Sequence, residues 1–133
     1  MTQERLFTVD EASVFVSWLE SKFTELDPYR AENERCQRRA EDLLQKGRSN
    51  GHGDVDEELH RMLQMAQELQ KSIQDILSQI TDKGIIVRDM ARGLVDFPSH
   101  REGRTVHLCW HRGETGIGFW HEVDAGFAGR QPL

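Results

Sequence analysis

A disulfide framework is the first thing this sequence lacks. Its only two cysteines, Cys36 and Cys109, stand far apart in unlike settings, whereas disulfide-built domains carry even, closely spaced sets. Reduced thiols and a cytoplasmic location are expected. Proline is equally scarce, three in 133 residues, which leaves room for long unbroken helices. No apolar stretch approaches the roughly 20 residues a membrane-spanning helix needs, and Met1-Thr-Gln-Glu-Arg5 opens without the basic and apolar segments of a secretory signal. A membrane is therefore not expected as a partner. A basic excess is missing too: 17 Lys and Arg stand against 23 Asp and Glu, and residues 54–84 hold seven acids to three bases. Gripping a phosphate backbone needs clustered cations, so nucleic acid is excluded as well.

What is present is charge and helical periodicity. Charged residues make up 30% and the mean hydropathy is −0.65, a balance that suits helices with one apolar stripe and a wide solvated face. The 37% apolar content is enough for one modest core, so residues 1–133 are expected to form a single domain. Thr8-Val-Asp-Glu11 is a capping box, and Ala12, Phe15, Val16, Leu19, Phe23 and Leu26 follow at three- and four-residue steps. Asp27-Pro28 should kink this helix or restart it. The stripe then thins to Cys36, Ala40, Leu43 and Leu44, and Gly47–Gly53 reads as a connector by composition. After a second cap signature at Asp54, Leu59, Met62, Ala66, Leu69, Ile73, Ile76 and Ile80 keep one seam up to Gly84. Residues 8–46 and 54–83 are thus expected as a long antiparallel helical hairpin.

Beyond Gly84 the period changes to that of strands. Ile85–Asp89, Gly93–Phe97, Arg104–His111 and Ile117–Val123 form about four strands, mostly antiparallel, with Pro98–Gly103 as a polar turn and 125–133 as a tail. The fold class is α+β, with the hairpin packed on a small sheet at 85–124. In the last ribbon, both apolar sets meet if Trp110 faces Ile117 and Leu108 faces Phe119, with Gly113-Glu114 as a two-residue turn. This register sets His107, Cys109 and His111 on one face with Trp120 and Glu122, and turns His121 toward Val106.

Candidate chemistry gathers in the same forty residues. His107, Cys109, His111 and Glu122 are the donor types of a transition-metal site, yet alternate strand residues lie about 6.5 to 7 Å apart, too far for direct coordination without a bend. No cofactor is implied strongly, and a structural sheet face is the plainer reading. Asp96, His121, Glu122, Asp124 and Arg130 are the candidates for acid–base work, since histidine titrates near neutrality. A buried His121 bonded to backbone or to Asp96 is the commoner arrangement. Gly126, Gly129 and Arg130 could form a nest for an anion, beside Trp110, Glu114 and Trp120; the alternative is a docked tail with Arg130 paired to Asp124 or Asp96.

Arg92-Gly-Leu-Val-Asp-Phe-Pro98, Leu108-Cys-Trp110, Gly113-Glu114, Trp120-His-Glu122 and Asp124-Ala-Gly-Phe-Ala-Gly-Arg130, with Arg5-Leu-Phe-Thr8 and Glu11-Ala12 near the start, resemble the pattern of the prokaryotic family known as domain of unknown function 2203. The resemblance brings no assigned activity. It singles out Asp96, Cys109, Trp110, Glu114, Trp120, His121, Glu122, Asp124 and Arg130, whereas His107, His111 and the glycine-rich 47–53 segment fall outside it. The leading expectation is an interaction or structural protein that forms a homo-oligomer or binds a protein partner through its hairpin. The competing expectation is a metal-dependent or acid–base enzyme with a polar pocket built by the C-terminal ribbon and tail.

Overall fold

The computed structural model describes residues 4–50 and 53–133. Thr8 begins the first helix as anticipated: its hydroxyl accepts from the Glu11 N–H, and the Glu11 carboxylate accepts from the Thr8 N–H. Helix α1 spans Val9–Val14 and α2 spans Val16–Asn50, interrupted only at Phe15, whose N–H turns to the Ala12 carbonyl. Of the two outcomes expected at Asp27-Pro28, a restart does not occur, since α2 continues through Pro28. Neighbouring turns supply enough bonding and packing to carry the chain past one missing donor. Likewise Gly47–Asn50, expected as connector, is helical; residues 51 and 52 of that connector lie outside the described residues. Helix α3 runs unbroken over Gly53–Thr81, and Gly84 takes the left-handed conformation, φ +89°, just past its end.

Two compact units divide the chain. In Glu25–Ile76, α2 and α3 pair antiparallel, with Arg39 bonded to Glu58 and Asn33 to Gln70. Cys36, Ala40, Leu43, Ile73 and Ile76 are buried there. The other unit joins Met1–Thr24 to Leu77–Leu133 and contains a five-stranded sheet, antiparallel throughout, in the order β1 (Ile86–Asp89), β2 (Leu94–Arg101), β3 (Arg104–His111), β4 (Phe119–Glu122) and β5 (Gln131–Pro132). The fifth strand comes from what composition marked as tail. The expected turn at Pro98–Gly103 shrinks to Glu102-Gly103, whose φ values of 50° and 78° suit a tight hairpin. Pro98 is tolerated within β2 because β1 pairs no further than Asp96. Its carbonyl instead accepts from the Phe7 N–H, so the missing donor points away from β3.

Leu94–Ser99 and Val106–Trp110 are buried at every position, which requires cover on both faces of the sheet. On one face the aromatic rings of Phe7 and Phe15 meet Phe97, and Phe23 stacks on Trp110 at 6.3 Å. Over the other lies the C-terminal segment, with Arg130 above Phe119 and Phe127 against His111.

Candidate functional site

The register of β4 on β3 decides what this outer face contains. Leu108 faces Trp120, His107 faces His121 and Cys109 faces Phe119, one residue away from the expected pairing. A slip of one exchanges the two faces of a strand. The cause lies in the connection, which is no two-residue turn but the segment 112–118. Its Glu114 carbonyl accepts from the Trp110 indole N–H at 3.0 Å, and its carboxylate accepts from the His111 N–H at 2.7 Å. This register also buries the Trp120 indole beside Leu108.

His121 is therefore carried to the face of His107, and Glu122 away from it. Glu122 pairs with Arg104, whose guanidinium holds the carboxyl below its usual range. Trp120, stacked under Arg101 and Arg104, and Trp110 belong to the helix-covered face. Among the described residues His111 meets the Phe127 ring and stands apart from the cluster. Arg130 pairs with neither Asp124 nor Asp96; Glu114 takes its guanidinium at 2.7 and 2.8 Å. The nest at Gly126–Arg130 is closed, because the Gly129 and Arg130 amides are spent on Gly126 and Phe127 in a 3-10 turn.

Asp96, His107 and His121 do converge, and all are buried. β2 supplies the acid and the directly opposed pair on β3 and β4 supplies the rings, 5.6 Å apart between centroids. His121 Nε2 lies 3.0 Å from Asp96 Oδ1, and its Nδ1 lies 2.7 Å from the Glu122 carbonyl oxygen. His107 Nδ1 lies 3.2 Å from Asp96 Oδ2. Arg88 of β1 donates from Nε to Asp96 Oδ2 at 2.7 Å, and its Nη2 lies 3.3 Å from His107 Nδ1. Sequence reasoning passed over Arg88 and the Asp96–His107 contact. The tight Glu102-Gly103 turn was the signal for the latter, since it fixes Asp96 opposite Cys109 and diagonal to His107.

Beside the cluster is a cavity of about 310 Å³, walled by Leu94, Val123, Ala125 and Phe127 and lined by Arg88, Asp96, His121, Asp124 and Cys109. Cys109 offers no nucleophile at neutral pH: burial, and then the Asp96 charge, push its thiol up to about 11. Both cysteines are free and buried. Iodoacetamide at pH 8 should label the native protein far more slowly than the urea-unfolded chain, and labelling at equal rates would contradict this burial. Because the folded thiol holds its proton above the ordinary 9.0, stability from this group is complete below pH 9 and declines as the pH rises toward 11.

Fold and site together define an α+β protein with a two-histidine, one-carboxylate cluster under a docked C-terminal segment. The chain belongs to the family described as "Uncharacterized conserved protein (DUF2203)", whose model matches residues 5–133. No curated protein and no solved structure matches it.

Proposed function

We propose that this protein is a metal-dependent one, in which Asp96, His107 and His121 hold a divalent transition-metal ion at the edge of the cavity. The observation that carries this reading is the pair of contacts made by His121. A carbonyl only accepts, so the bond to Glu122 places the ring hydrogen on Nδ1. A neutral ring of that tautomer would aim an Nε2 lone pair at a carboxylate oxygen 3.0 Å away, and two lone pairs so close need a positive charge between them, a proton or a metal ion. A ring N–H tied to a backbone carbonyl is also the usual support of a metal-ligating histidine.

Spacing agrees with this. Bonds of about 2.1 Å in a tetrahedral shell put neighbouring ligand atoms about 3.4 Å apart. The nitrogen–oxygen separations here are 3.0 Å to Asp96 Oδ1 and 3.2 Å to Asp96 Oδ2, and with one atom per residue the three donors lie within 4.8 Å of one another, a spread that an ion would draw in by about an ångström. Imidazole and carboxylate together suit zinc, iron or manganese. Three protein donors leave positions for water and for a ligand in the cavity, where a bound ion supplies Lewis acidity and a more acidic water. Elemental analysis after reconstitution should find about one equivalent of metal. No stoichiometric uptake of zinc, manganese or iron(II), with no change in the unfolding midpoint, would sink the reading. Free, buried thiols support a cytoplasmic setting, and no described helix is long and apolar enough to cross a membrane.

A second reading concerns the Glu25–Ile76 unit alone. Its seam residues Leu59, Met62, Ala66 and Leu69 are only half-buried, and Leu44, Leu63 and Met65 are exposed. This supports self-association through the hairpin. Light scattering coupled to size exclusion should give a dimer mass at micromolar concentration, and a strict monomer there would end the idea.

A further inference from the structure

Arg88 contacts two of the three groups that the metal reading gives to an ion, Asp96 and His107, and it also lines the cavity. We infer that the cavity receives a small carboxylate-bearing molecule, bound by Arg88 after a divalent ion has displaced its guanidinium from Asp96 and His107. The inference rests on the metal reading above and deepens it.

The displacement follows from lone-pair counting. His107 Nδ1 lies 3.3 Å from Arg88 Nη2 and 3.2 Å from Asp96 Oδ2; in the tautomer that ligates a metal through Nδ1, its one lone pair there either accepts the Arg88 hydrogen or meets the ion. Arg88 Nε also holds Asp96 Oδ2 at 2.7 Å. The guanidinium thus lies between the same two donors that the ion would join. Arg88 can leave without disturbing the core, since its side chain is 47% exposed while that of Asp96 is 1% exposed.

Where it goes is set by the cavity it already lines. The cavity then carries Asp96 and Asp124 against a divalent ion and a guanidinium, a balance in favour of an anion. A guanidinium fork matches the two oxygens of a carboxylate. Leu94, Val123 and Phe127 provide the wall for a short apolar body behind it. Butyrate has both features, and butyramide has the same shape without the charge.

The experiment measures zinc and manganese affinity by titration, and the unfolding midpoint with butyrate or butyramide, for the wild type and Arg88→Met. The expected result has several parts. Arg88→Met binds metal about ten- to a hundredfold more tightly, because a charge-assisted competitor is gone. Butyrate raises the midpoint of the metal-loaded wild type by several degrees, whereas butyramide does not. Butyrate leaves both the metal-free wild type and metal-loaded Arg88→Met unmoved. Arg88→Lys, which keeps the charge and loses the fork, serves if Arg88→Met folds poorly; it should bind metal more tightly than wild type and lose most of the butyrate shift.

Failures separate cleanly. Metal uptake by the wild type with no tightening in either variant, or with an equal response to butyramide, overturns this inference and leaves the metal centre standing. Absence of metal from wild type and both variants overturns the metal centre and this inference together.

Discussion

Asp96→Ala is expected to cost about 3–5 kcal/mol of folding stability in metal-free protein, the range for removing one partner of a buried charged pair. Asp96 and His121 are each 1% exposed, and the alanine would remove the carboxylate oxygen that His121 Nε2 meets at 3.0 Å. His107 would lose its contact as well. Arg88 adds little to this loss, because half-exposed ion pairs contribute weakly. Asp96→Asn preserves volume and one acceptor oxygen, so its cost should be smaller, about 1–3 kcal/mol. It should nonetheless lose the metal, since an amide oxygen is a poor substitute for a carboxylate in this donor set. Urea denaturation in chelator measures the first effect and metal titration the second. An alanine variant within about 1 kcal/mol of wild type would mean that the cluster does not organise the outer face.

Trp110→Ala should rank with it, at about 3–5 kcal/mol. The indole is fully buried and stacks on Phe23 at 6.3 Å. Its N–H also holds the Glu114 carbonyl, which pins the segment 112–118 and so the register of β4. Trp110→Phe keeps most of the packing and drops the hydrogen bond, so a loss of about 1–2 kcal/mol is expected from it. Hydrogen exchange at residues 112–122 separates the two roles. In Trp110→Phe that segment should exchange faster while β2 stays protected. Unchanged exchange would place the control of register elsewhere, with the Glu114–Arg130 pair as the next candidate.

Much of the architecture was legible because it depends on local chemistry. The Thr8 box, the helix that carries Leu59 to Ile80 and the Gly84 stop are each readable from a few neighbouring side chains, and each is found where the spacing places it. Errors arose where a local preference was outweighed by packing. Pro28 lies within α2, Gly47 remains helical, and Pro98 extends a strand whose neighbour has already ended. Asp96 and His121 were legible as candidates, and the contact between them was among the foreseen arrangements. Arg88 was not, because nothing in Ile85–Asp89 marks a cation for use until Asp96 lies across from it.

The sequence by itself determined the two long helices, the four main strands and which residues along each strand share a side, since these follow from periods of 3.6 and 2 along one chain, while the helical 47–50 segment, the end of β2 and β5 did not follow from it. Only the tertiary structure decided how β4 lies against β3. An alternating strand satisfies its own pattern in either of two registers one residue apart, and the choice depends on where the Trp120 indole is buried and how Glu114 is bonded. That choice turns Glu122 to Arg104 and brings His121 to Asp96, so the site exists through contacts between strands rather than through any spacing within one.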